Sequence, residues 1–294
     1  MTTSATADQA QTIKLALSRI GDIATLPEVT ARIITIVDDP KSTARDLHQV
    51  IKNDPALATK ILKVVNSAFY GLPGQVAEID RAIVLLGLSA VKNIAISASI
   101  SRLFTGEKFS DKYSARDIWR HCIAMAAATR EFAVLIGKRA HAEEAFLAGL
   151  IADLGLLVER QAFPEQFKEV IRQASQSPAE KSFCAIEQEL IGADHQALGA
   201  ALANRWKFPR GLQTVMAYHH KVDHLAEDHR LLPTLVYIAD TLCSHERIGF
   251  HLMARDQTLE DTHLESAGLS EADFNTVREQ LPQLIADSEA LFSA

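Results

Sequence analysis

No stretch of this chain constrains its fold more than residues 143–158, EEAFLAGLIADLGLLV. Ala145, Phe146, Leu147, Ala148, Leu150, Ile151, Leu154, Leu156 and Leu157 cover every side of a helical wheel. A helix that is apolar all round lies buried inside its domain. Asp153 interrupts the apolar run. Burying an ionised carboxylate is costly unless a cation, a metal or hydrogen-bond donors meet it. The spacing predicts one helix over Glu143–Val158, with Asp153 turned toward such a group.

Apolar residues recur at helical spacing from Ile13 almost to the end, and no run alternates with period two. Thr43 and Asp46 have the spacing of a capping box ahead of Leu47, Val50 and Ile51. Asp54 precedes Pro55, a capping acid before a proline at the first helical position. Asp117–Ile136 reads as one long helix, and Ser270 as a cap before Glu271. The expected fold class is all-α. Residues 1–12 are polar and read as a disordered tail, and 13–105 form an amino-terminal helical subdomain. The polar stretch TGEKFSDKYS, 105–114, contains the boundary. A second helical unit then covers 106–255, and a helical tail covers 256–294.

With 48% hydrophobic residues the chain can bury a large core. Its net charge of −7 argues against broad nucleic-acid binding or attraction to anionic membranes. Cys122, Cys184 and Cys243 are widely separated and odd in number, which favours a reducing, cytoplasmic setting. MTTSATADQAQT has neither a basic start nor an apolar run, so no secretory signal is expected. No apolar stretch approaches the ~18 residues of a membrane span.

His121, Asp153, His195, His219, His220 and Asp240 stand in or beside apolar helical segments. Imidazoles and carboxylates converging from several helices are how a bundle core holds iron, manganese or zinc. The alternative stays open, because a buried histidine is more often a hydrogen-bonded core residue than a ligand. No HExxH, P-loop, GxSxG or GxGxxG is present. His48, His141, His224, His229, His245, His251 and His263 have polar neighbours or lie near loops, and solvated roles are expected for most.

LPEVTARIITIVDDP, DLHQVIKNDPALATKILKVVNSAFYG and IDRAIVLLGLSAVKNIAI resemble the amino-terminal half of the HDOD family. WRHCIAMAAATREFA, EEAFLAGLIADLGLLV and GADHQALGAALANRWKFPRGLQTVMAYHH resemble its second half. The likeness implies a multi-helix bundle of HD-domain architecture preceded by a helical subdomain. It also implies a bacterial signalling role and descent from the HD and HD-GYP phosphohydrolases. The His-Asp pair that names that superfamily reads Ala152-Asp153 here, and alanine offers no ligand atom. Gly155 is kept after the pair, whereas Leu156 stands in the lysine position. The other positions of the metal pattern survive as His121, Asp153, His195, His219, His220 and Asp240. This implies a vestigial or mononuclear site for one divalent transition metal: iron, manganese, zinc or nickel.

The expected function is a non-catalytic regulatory module that binds a signalling protein or a small ligand. A metal-dependent phosphohydrolase acting on a nucleotide or cyclic dinucleotide is the alternative. A third reading, nucleic-acid binding by the Thr43–Tyr70 helix pair, rests on Lys52, Lys60 and Lys63; Asp46 and Asp54 offset them, and a solvated face explains them better.

Overall fold

A computed structural model describes residues 2–21, 23, 28–38, 41–67, 70–104, 108–176 and 181–292. Among them regular structure is helical, apart from one isolated bridge between Lys108 and Ser114. The helices are α1 (Thr2–Arg19), α2 (Glu28–Asp38), α3 (Ala44–Lys52), α4 (Pro55–Val65), α5 (Ile79–Leu86) and α6 (Leu88–Ile100). Then come α7 (Ala115–Leu135), α8 (Ala142–Ile151), α9 (Leu154–Ala162), α10 (Pro164–Ala174) and α11 (Phe183–Leu190). The chain closes with α12 (His195–Arg205), α13 (Arg210–Tyr218), α14 (Leu231–His245), α15 (Asp261–Ala267) and α16 (Glu271–Phe292).

The local signals act as the sequence suggests. Thr43 and Asp46 form a reciprocal capping box at α3, and the Asp54 side chain accepts the Leu57 N–H at α4. Ser270 accepts the Asp273 N–H at the start of α16. Gly87 turns the chain between α5 and α6 with φ +90°, a conformation that suits glycine.

Helix α7 is the hub, packed along α8, α14 and α16, while α6 lies on α2, α4 and α8. Helix α1 begins at Thr2, inside the stretch that reads as a disordered tail, and packs on α9 and α12. Arg19 donates to the Ala162 carbonyl and Arg205 to the Leu17 carbonyl across that contact. Of the boundary stretch, 105–107 lies outside the described residues. The remainder is no plain linker, because Phe109 and Tyr113 are buried against Phe250. No helix of the described residues is long and apolar enough to cross a membrane.

One element departs from the expected form. The helix expected over Glu143–Val158 is two helices, α8 and α9, with the break at Ala152-Asp153. Asp153 has φ −95° and ψ 14° and occupies the cap position of α9. Apolar patterning registers burial and is blind to a one-residue change of axis, so the break leaves no trace in it. Its consequence is chemical: the turn points a carboxylate out of the helix ladder and into the core.

Candidate metal centre

Five elements deliver the polar side chains. His121 comes from the middle of α7, Asp153 from the α8–α9 break, and His195 is the first residue of α12. His219 caps the end of α13 with His220 next to it, and Asp240 belongs to α14. The start of α12 and the end of α13 are stitched together. Asp194 caps α12 by accepting the Ala197 N–H at 2.8 Å and takes a 2.6 Å contact from Lys221 Nζ. The His220 N–H donates to Gln196 Oε1 at 3.0 Å. These bonds hold three imidazoles within reach of each other.

The ring contacts define which nitrogen carries the proton. Carbonyl and amide oxygens only accept, so a ring nitrogen beside one must donate. His219 Nδ1 donates to the Val215 carbonyl and His220 Nδ1 to Gln257 Oε1, both at 3.0 Å. His195 Nδ1 meets both carboxylate oxygens of Glu187 at 2.8 and 2.9 Å, and its backbone N–H donates to Glu187 Oε2. With all three Nδ1 protons engaged, three Nε2 lone pairs face inward. His195 Nε2 lies 3.0 Å from His220 Nε2 and 3.3 Å from His219 Nε2. Asp153 Oδ1 completes the group, 3.2 Å from His219 Nε2 and 3.7 Å from His195 Nε2. Neither Asp153 oxygen receives a hydrogen bond.

Lone pairs and a carboxylate packed together without solvent repel unless a cation joins them. A second proton on His219 would serve, and so would a metal ion. Asp153, His195, His219 and His220 offer donor atoms that all lie within 4.8 Å of one another. Three imidazole nitrogens and one carboxylate oxygen form a donor set suited to zinc, iron or manganese. The residues therefore fit a single divalent ion. Burial alone would raise the Asp153 carboxyl, but the His219 ring, with His195 and His121 beyond it, holds it below the usual carboxylate range. Burial and the neighbouring His219 push His220 down to about 3.

His121 and Asp240, the other two residues singled out in the sequence, stand beside this group as a pair. His121 donates from Nδ1 to the Ile248 carbonyl at 2.9 Å and from Nε2 to Asp240 Oδ1 at 3.0 Å. Burial opposes the charged ring, yet Asp240 outweighs it and the His121 ring is shifted up. Asp240 Oδ2 lies 3.4 Å from His220 Nδ1 and connects the pair to the cluster. Ala152 is fully buried next to Asp153 and supplies only a methyl group.

Two further residues belong to the site and escaped the sequence reading. Glu187 grips His195, and Glu159 lies against Glu187, both fully buried. Burial raises both carboxyls, and the charge of Glu187 raises Glu159 further. Glu187 follows Phe183 and Ile186 at spacings of four and one, on the buried face of α11, which is the one signal that marks it.

The centre is closed. Asp153, His195 and His219 are fully buried, and the His220 side chain is 7% exposed. His220 borders a cavity of about 220 Å³ shared with Phe183, Cys184, Lys221, Met253 and Gln257.

Comparison with known proteins gives this geometry its context. Residues 23–222 match the HDOD domain family. An uncharacterized protein of Treponema pallidum (strain Nichols) is 29% identical over 237 residues, covering 79% of this chain and 45% of the relative. The chain thus spans about half the length of that relative. Among solved structures, an HDOD domain protein of Geobacter sulfurreducens superposes with TM-score 0.79 at 20% identity, over 97% of this chain and 99% of its own. A candidate phosphohydrolase of Shewanella amazonensis SB2B gives 0.71 at 20% identity, covering 98% of each chain. A candidate signal transduction protein of Marinobacter aquaeolei VT8 gives 0.73 at 24% identity, over 97% of this chain and 64% of its own. At these identities the superpositions speak for the fold alone. The family match spans both helical halves and the α8–α9 turn with its altered His-Asp pair, and the chain belongs to the HDOD family.

Proposed function

We propose that this chain is a regulatory module of bacterial cytoplasmic signalling that works by contact with a protein or small ligand and not by turnover. The observation that carries this reading is the closed cluster beside Ala152. A dinuclear phosphohydrolase needs two ions a few ångströms apart, a water between them, and room for a phosphate to reach both. Here one ligand position is a methyl group, and three of the four clustered side chains have no solvent exposure. One divalent ion held by Asp153, His195, His219 and His220 would join α9, α12 and the end of α13, stabilising the fold. Metal bound there would supply a cross-link; the chain's own part is to fix each ring nitrogen and exclude water.

The test is metal counting with an activity assay. Protein purified without chelator should hold at most one divalent ion per chain. It should not hydrolyse nucleotides, cyclic dinucleotides or bis-p-nitrophenyl phosphate after addition of Mn²⁺ or Fe²⁺. Two ions per chain together with sustained hydrolysis would favour the second reading, a metal-dependent phosphohydrolase. The survival of His121 and Asp240 beside the four-residue group is the observation on that side.

A further inference from the structure

The four side chains of the centre are not held alike. Asp153, His195 and His219 are fully buried. Both Glu187 oxygens on α11 face His195 Nδ1, and His219 Nδ1 donates to the Val215 carbonyl of its own helix. His220 differs on each count. It stands past the end of α13, keeps 7% of its side chain exposed and borders the cavity of about 220 Å³. Its partner Gln257 lies in residues 251–260, which carry no helix. We propose that His220 is the door of the metal centre and Gln257 its latch, so that a divalent ion enters and leaves through this cavity as the His220 ring turns into it. The proposal rests on the reading of the centre as a one-ion site and adds how that ion is exchanged.

The first observation is room. A water needs roughly 10–15 Å³ of cavity, so about 220 Å³ leaves the ring space to turn. Ser182 and Asp256, both exposed, line the same cavity and open it to the surface. Lys221 is also in its wall, but the ammonium is held by Asp194 at 2.6 Å and is not a bare charge facing an incoming cation.

The second is how little holds the ring. Gln257 Oε1 accepts from His220 Nδ1 at 3.0 Å. Asp240 Oδ2 is 3.4 Å from that nitrogen and receives no hydrogen bond. Among the described residues, Gln257 therefore supplies the one hydrogen bond that reaches this ring from outside the cluster. The His220 main chain is fixed separately, through its N–H to Gln196 Oε1, so the side chain can rotate while the backbone stays.

The third is that the latch itself is anchored. Gln257 Nε2 donates to Thr241 Oγ1 at 2.6 Å and to the Tyr237 carbonyl at 3.3 Å, both on α14. The Gln257 carbonyl accepts from His245 Nε2 at 3.0 Å. Opening then breaks one neutral hydrogen bond, a modest net cost where water can replace it. Passage beside Asp153, His195 or His219 would instead require α9, α12 and α13 to part.

Rates of metal exchange test this. The metal-free full chain is mixed with Co²⁺ in a stopped-flow cell, and the loaded chain is stripped with excess EDTA. Gln257→Ala should quicken loading and release together, each by roughly threefold or more, the worth of one hydrogen bond. Their ratio, the Kd, should move less than either rate. Cys184→Leu adds bulk to the cavity wall and should slow both rates, which keeps the test open if Gln257→Ala fails to fold. Unchanged rates in either folded variant, or a change in release alone, overturn the proposal. A wild-type chain that takes up no Co²⁺ ends the one-ion reading and the door with it. A chain that loads at rates indifferent to both substitutions ends only the door.

Discussion

Gly155 lies directly against the backbone of His195. A Cβ built at Gly155 would fall 1.9 Å from the His195 carbonyl oxygen and 3.0 Å from the Gly199 nitrogen. Helices α9 and α12 cross at this point, and the crossing fixes His195 relative to the turn that carries Asp153. Only a residue without a side chain permits that approach.

Gly155→Ala must move backbone and not a flexible side chain. Overpacking of this kind costs about 1–3 kcal/mol and sometimes more. The midpoint of denaturant unfolding should fall with an unchanged slope, and affinity for divalent metal should fall with it. A stable variant with undiminished metal affinity would show that α9 and α12 have slack that the contact denies.

Glu187 is expected to matter through His195. Replacing it with glutamine keeps the shape but turns one of the two oxygens that face the His195 ring and backbone N–H into an NH₂ group. Partners that orient a ligating histidine are typically worth 10- to 100-fold in metal affinity, so Glu187→Gln should lose roughly that much in a competition titration with a Zn²⁺ dye. A loss under about threefold would mean that packing alone orients the ring.

What the sequence revealed and what it hid follow from range. Caps such as Thr43–Asp46 and Asp54 are local bonds between neighbours, and their spacing is visible in the string itself. The burial of Asp153 was equally legible, because its whole neighbourhood is apolar. The break at Ala152-Asp153 was not, since hydrophobic spacing is unchanged across it. Glu159 and Glu187 were missed because each lies near the polar end of an amphipathic helix, where a glutamate normally meets water. Their burial depends on the Glu159 and Glu187 side chains meeting beside His195, a long-range fact. The resemblance to a family named six polar positions, but only the geometry separates the four that converge from the His121–Asp240 pair beside them.

That pair makes its own prediction. Asp240→Asn leaves the His121 ring buried without the carboxylate that shifts it up, although Asn can still accept one hydrogen bond. Removing one partner of a buried ion pair costs about 3–5 kcal/mol. The variant should unfold at clearly lower denaturant, and ring ¹⁵N shifts should report His121 as neutral. A charged His121 in a variant of wild-type stability would show that the carboxylate is not what holds the proton.

Ala152→His tests whether the altered position still faces the centre. Ala152 is fully buried in the turn between α8 and α9, so an imidazole there must displace packed neighbours. The metal-free variant should be less stable than the wild type by about 1–3 kcal/mol. Zn²⁺ or Mn²⁺ should then restore stability, because an ion bound by the native state shifts the folding equilibrium toward it. The rise in Tm on adding metal should therefore be larger in the variant than in the wild type. The two measurements separate steric from coordinative effects: a loss without metal rescue means that the new ring points away from Asp153, and rescue means that the methyl group is what leaves the donor set one ligand short.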